Sequence, residues 1–233
     1  MQIVVTFDPA CGVDERKAVL WCAALDAQAQ EFSAAWGVPY WPVSLYSSDV
    51  LKKMTPKEMA AFVADSHLCT VQMTMVAGAL GFHDDVAGVI FARVLWQGDA
   101  TSVTLSHEIL EMMGDPKCNA WRRMPDRRDT ALEACDAVEG DVYIETADVG
   151  GDLMPVDVSN YLLPSWFKVG GAGPYDRMSK LTAPFDMTPG GYMIVRDRQG
   201  NETQVFAASD AGRINLARKL EKPRGRLARR LRG

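Results

Sequence analysis

Residues 101–116, TSVTLSHEILEMMGDP, constrain the fold of this chain more than any other segment. Val103, Leu105, Ile109, Leu110, Met112 and Met113 surround most of a helical circumference. The spacing therefore predicts a helix buried on more than one side. Asp99 or Thr101 is placed to cap its first turn. Gly114 supplies a C-terminal stop, and Pro116 cannot continue the helix. Into this apolar setting the sequence puts His107, Glu108 and Glu111. His107 and Glu111 are four residues apart and share a face. Glu108 lies about 100° around the axis. Buried charges cost several kcal/mol each unless they are paired, protonated or metal-bound.

The arrangement is that of a metallopeptidase helix with one change. H-E-x-x-H supplies two metal-binding histidines and a glutamate as general base; here Glu111 stands where the second histidine would be. A catalytic zinc needs three protein ligands and an open position. His107 and Glu111 provide two. Asp115, Glu133 and Asp136 are candidates for the third, with Asp136 or Glu133 favoured: a distant ligand closes a site from two sides, whereas Asp115 lies about 80° from His107 around the helix. Glu108 is the candidate general base. One histidine with two carboxylates is a hard, anionic set. Zinc is the first choice of ion, and manganese, calcium and magnesium stay open. His83 is read as a loop residue, either assisting as an electrophile or hydrogen-bonded and unrelated; His67 reads as ordinary. Cys118 and Cys135 flank the loop after the helix, as soft zinc ligands or, in the favoured reading, buried structural thiols.

The other segments read as a mixture of strands and helices. Residues 2–7 read as a first strand. Residues 15–36 form an amphipathic helix closed by Gly37 and Pro39, and residues 41–46 a second strand. Thr55-Pro56-Lys57-Glu58 carries threonine as cap, proline at the first helical position and glutamate at the third, a helix start for residues 55–64. Strands are predicted over 69–76 and 87–94, with a Gly-punctuated loop at 78–85. Glu133, Asp136, Glu139 and Asp141 form an acidic run, either a solvated turn or a source of oxygen ligands. Residues 156–167 are extended and apolar. Residues 192–196 and 202–206 flank a hairpin turn, and 208–220 read as a helix. No internal repeat is visible.

With 233 residues, 48% hydrophobic and 24% charged, the chain has the composition of one large soluble domain with an appendage. The expected division is a domain over 1–207 and a helix with a basic tail over 208–233. No apolar run reaches the length of a membrane span. The N-terminus lacks the pattern of a signal peptide. Five cysteines without a C-x-x-C pair argue against a disulfide framework. Residues 213–233 carry nine basic residues and one acidic, a balance of +8 that leaves −13 on the rest of a chain whose net is −5. Such a tail can contact an acidic protein surface, a second copy of the chain or nucleic acid, or it can be a solubilising end.

Four places carry a resemblance to a known group. They are Ser106-His107-Glu108 through Asp115-Pro116; Asn119-Ala120-Trp121; Glu133-Ala134-Cys135-Asp136 with Val138-Glu139; and Val158-Ser159-Asn160-Tyr161 leading to Pro164-Ser165-Trp166-Phe167. Over roughly residues 100–167 the chain resembles zincin-like proteins of tailed phages and bacteria. S-H-E-x-x-E-x-x-x-D-P segments of this kind also occur in plant secreted proteins of the phosphate-induced type. The resemblance implies a zincin-like α+β fold, a mixed sheet packed against the long N-terminal helix and the H-E-x-x-E helix. Two functions follow as expectations. One is a metal-dependent peptidase-like hydrolase acting on a peptide or protein. The other is a phage virion or assembly protein on the same scaffold without catalysis, in which Arg122, Arg123, Arg127 or Arg128 would satisfy the carboxylates in place of a metal. Either would fold in the host cytoplasm, the second ending in the virion.

Overall fold

The computed structural model describes residues 1–75 and 79–207. The expected helix over 208–220 and the basic tail lie outside the described residues. So do the end of the strand expected over 69–76 and the start of the loop at 78–85.

The first half of the chain is an α+β unit. Strand β1 (Gln2–Phe7) is followed by the long helix α1 (Glu15–Trp36), β2 (Val43–Leu45), α2 (Ser48–Lys53), α3 (Pro56–Asp65) and β3 (Ser66–Gln72). A hairpin of β4 (Gly81–Val86) and β5 (Val89–Leu95) then leads into α4 (Thr101–Gly114). The sheet runs β2-β1-β3-β5-β4. Its first four strands are parallel, and β4 is an antiparallel edge paired through Gly81–Val94, His83–Ala92 and Asp85–Ile90. Helices carry the chain from β1 to β2 and from β2 to β3, whereas β3 reaches its parallel neighbour β5 through β4.

Local chemistry explains the helices. Asp14 caps α1 by accepting the Lys17 N–H at 3.0 Å, and Leu25, Ala29 and Phe32 are buried beneath it. At α3 the Thr55 N–H donates to Glu58 Oε2 at 2.7 Å while the Glu58 N–H donates to Thr55 Oγ1 at 3.3 Å, the reciprocal capping box expected from the sequence. Helix α2 was not expected. Its six residues carry too little apolar periodicity to register, and the Ser47 side chain, accepting from Asp49 N, starts it.

The second half adds short strands β6 (Trp121–Arg123) and β7 (Asp129–Ala131), a hairpin of β8 (Val142–Val149) and β9 (Asp152–Ser159), and a hairpin of β10 (Tyr192–Arg196) and β11 (Glu202–Phe206). An antiparallel sheet in the order β11-β10-β7-β6 results. One apolar cluster lies between the first sheet, α1, α4 and the β8–β9 hairpin; a second, around Trp166, Leu162 and Val195, lies under the small sheet. Trp36 packs against both, and its indole N–H donates to the Leu162 carbonyl at 2.8 Å. Helix α4 runs between the two, packed on α1, β4, β5 and β9.

Candidate metal centre

Eleven residues of α4 are buried, among them His107, Glu108 and Glu111, so these three side chains are withheld from bulk water on a helix that cannot rotate. Two serines fix its register. Ser106 Oγ accepts the Ser159 N–H at 2.8 Å, and Ser102 Oγ donates to the Asp157 carbonyl at 2.8 Å, both on β9. The ends of the helix differ from expectation. Ala100 occupies the cap position and no side chain caps the helix. Thr101 Oγ1 instead accepts the Gln97 N–H at 2.8 Å, and Asp99 pairs with Lys17 on α1. At the other end Asp115, not a glycine, follows the last helical residue.

His107 Nε2 lies 3.2 Å from Glu111 Oε1 and 3.3 Å from Asp136 Oδ1. On the other side of the same carboxylate, His83 Nδ1 lies 3.6 Å from Glu111 Oε2 and 3.5 Å from Glu108 Oε2. Two sets of ligand atoms lie mutually within 4.8 Å: His107, Glu111 and Cys135, and His83, Glu111 and Glu133. All of these but Cys135 line a cleft of about 30 Å³, bordered by Tyr192 and Ile194 of β10, room for a water-sized species or two. The cleft thus sits between the edge strand β4, helix α4 and the small sheet. No lysine or arginine lines it among the described residues. Arg123 pairs with Asp129 and Arg128 with Asp126; Arg122 is exposed and donates to the Trp121 carbonyl, and Arg127 is exposed. None of the four takes the place that the non-catalytic reading gave it.

The chain brings Asp136 in through backbone closure. Residues Asp136–Val138 form a single tight turn. The Ala137 carbonyl accepts the Thr188 N–H at 3.0 Å, and a side chain at Gly191 would stand 2.1 Å from the same oxygen. Only glycine permits that approach. Glu133, half-buried, lines the cleft from the segment just before this turn. Asp115 does not line it. Its Oδ2 accepts the Ala120 N–H at 2.8 Å and ties down the loop after α4, a consequence of lying past the helix end and off the His107 face.

Electrostatics follows from crowding. Burial disfavours the His107 cation, but Glu111 and Asp136 outweigh it and hold the imidazole well above its ordinary value. His83 is likewise raised against the pull of burial. Cys118 favours that cation only as a thiolate, and burial pushes the Cys118 thiol up, so Glu108 and Glu133 carry the shift. Glu111 is raised by its own burial and by Asp136 and Glu108, with His107 opposing. Burial keeps the Cys135 thiol well above its usual range, and all five cysteines are free.

His83, read from the sequence as a loop residue that either assists as an electrophile or is unrelated, lines the cleft. It sits on a strand rather than in a loop: Gly81 and His83 are buried while Phe82 and Asp84 are partly exposed, and with a glycine and a histidine at the buried positions the sequence shows no apolar alternation there. Ala87, at φ 55°, takes a turn position that alanine rarely holds. The Ala87-Gly88 pair therefore did not read as a hairpin turn. Gly81 is the residue that sequence reasoning missed. A Cβ there would stand 2.4 Å from Glu108 Oε1 and 2.7 Å from Thr104 Cγ2, so the glycine gives Glu108 its room. Beside the cleft, and sharing Gly81, His107 and Glu108 with it, lies a groove of about 280 Å³ lined by Leu80, Val103 and Val142.

Among the described residues, no helix is long and apolar enough to cross a membrane. Comparison of the chain with family models, with curated proteins and with solved structures returned no match.

Proposed function

We propose that this chain is a metal-dependent, peptidase-type hydrolase built on a zincin-like scaffold, with zinc held by His107, Glu111 and Asp136. One observation carries the reading: two imidazoles and four carboxylates from three separate segments converge on one small cleft that, among the described residues, no lysine or arginine lines. Like charges about 4 Å apart repel by about 4 kcal/mol even at an effective dielectric of 20, so this set needs cations or protons to balance it. His107 Nε2 stands 3.2 Å from Glu111 Oε1, which also accepts the Cys135 N–H, and 3.3 Å from Asp136 Oδ1, spacings that ligands of one ion also adopt. Charge-assisted N–H···O bonds run at about 2.7–2.9 Å, and the 3.3 Å between His107 Nε2 and Asp136 Oδ1 is longer. Two ligands bound about 2.0–2.1 Å from one tetrahedral ion stand about 3.3–3.4 Å apart.

A divalent ion bound there would supply Lewis acidity toward an acyl oxygen and toward water. The rest is done by the chain's own groups. Glu108, on the border of cleft and groove, accepts a proton from the attacking water and returns it to the leaving amine. Its Oε2 faces His83 Nδ1, which biases the carboxylate orientation, and Gly81 leaves Oε1 unobstructed. The groove beside it holds an apolar side chain of a polypeptide substrate. The resemblance of residues 100–167 to phage and bacterial zincin-like proteins supports the same reading.

Glu108→Gln removes the base while keeping the shape. Turnover of a broad peptide library should fall by about 10²-fold or more while bound zinc stays unchanged. Cleavage that survives the substitution would remove Glu108 from the mechanism and leave only the metal site.

A further inference from the structure

Glu111 presents its two oxygens to two different imidazoles. Oε1 faces His107, and Oε2 faces His83. Each side also has a further carboxylate, Asp136 beside His107 and Glu133 beside His83. His83 is buried, lines the cleft, and its Nε2 has no hydrogen-bond partner. An imidazole in that position costs desolvation and returns little as a core residue. As a ligand it completes a set with Glu111 and Glu133, each offering one atom within 4.8 Å of the others.

Charge leads to the same place. With Glu108, Glu111, Glu133 and Asp136 ionised and both histidines neutral, as ligation requires, the cleft carries −4. One divalent ion leaves −2 in a site from which water is largely excluded; two neutralise it. We propose that the cleft holds two divalent cations bridged by the Glu111 carboxylate, one with His107 and Asp136 and one with His83 and Glu133. The proposal rests on the metal-site reading above and adds the second position. It also accounts for a glutamate at position 111. A neutral histidine there has one in-plane nitrogen lone pair to give and binds one ion, whereas the two oxygens of a carboxylate can bridge two.

The test uses the full-length protein, stripped of metal with a chelator and titrated with Mn²⁺ alone. Bound metal per chain is measured after removal of free ion, and the Mn²⁺ electron paramagnetic resonance spectrum is recorded at saturation. Wild type should bind two ions and give an exchange-coupled spectrum. His83→Ala and, separately, Glu133→Gln should each bind one ion and give the six-line spectrum of an isolated Mn²⁺. Glu133 is only half-buried, so its variant keeps the test valid if His83→Ala fails to fold. One ion in wild type, lost in His107→Ala and retained in both other variants, overturns the second position and leaves the single-metal reading intact. No bound ion in wild type overturns both.

Discussion

Gly81 and Glu108 compete for the same space, and the absence of one side chain sets the position of the other. A methyl group at residue 81 must displace a carboxylate oxygen 2.4 Å away. Glu108 is buried against Thr104 and the β4 backbone and has little room to yield. Gly81→Ala should therefore lower turnover at least tenfold, since misplacement of a reacting group by about 1 Å can cost about 10²-fold. Metal content should stay the same, because Glu108 is not in the ligand set. Steady-state kinetics alongside elemental analysis checks both, and unchanged turnover would show that Glu108 is not the base. At this scale the sequence was legible where spacing alone decides geometry. His107, Glu108 and Glu111 were found because a helix fixes their relative angles. Glu133 and Asp136 were found because acidic residues clustered after a ligand helix. His83 stayed undecided between a role and none, and Gly81 escaped, because their placement depends on strand pairing with β5, which no local pattern specifies.

Among the elements, α4 depends on its tie to β9. The Ser159 N–H is buried and donates to Ser106 Oγ at 2.8 Å. Ser106→Ala leaves that donor without its acceptor, which costs about 1–3 kcal/mol. Denaturant unfolding of the metal-free protein should show this loss as a lower midpoint with an unchanged slope. A loss below about 0.5 kcal/mol would mean that water replaces the hydroxyl. The elements themselves were legible in proportion to their local chemistry. The capping box at Thr55 and the hairpin of β10 and β11 were visible, since each carries its own punctuation. The first sheet's strand order was not, because parallel pairing joins β1 to both β2 and β3 across long separations. The three-residue strands β6 and β7 and the β8–β9 hairpin were missed for a related reason. Short or half-exposed strands show weak alternation, and packing of β8 and β9 against α1 and α4, and of β7 against β10, creates them as much as propensity does.

For the molecule as a whole, the cleft couples proton binding, metal binding and stability. Without metal, His83 and His107 titrate well above their ordinary 6.5 in the folded state, and Glu111 is raised above 4.5. All three therefore hold protons more tightly folded than unfolded. Their contribution is fully present below the unfolded values and is lost as pH rises through the folded ones. The metal-free Tm should fall as pH climbs above about 6.5, the ordinary value of histidine. The increase in Tm on adding zinc should grow over the same range, because metal displaces those protons. Calorimetry at a series of pH values with and without zinc reads both trends, and a metal-free Tm that rises through this window would contradict the assigned protonation.

The central claim is that the buried convergence of His107, Glu111 and Asp136 is a metal site rather than a set of ion pairs. Elemental analysis of purified full-length protein tests it most directly, with wild type and His107→Ala each incubated with zinc and freed of excess ion. The account predicts at least one zinc per chain in wild type and loss of the His107-bound ion in the variant, with both proteins folded by near-ultraviolet circular dichroism. A folded wild type that retains no zinc would contradict it.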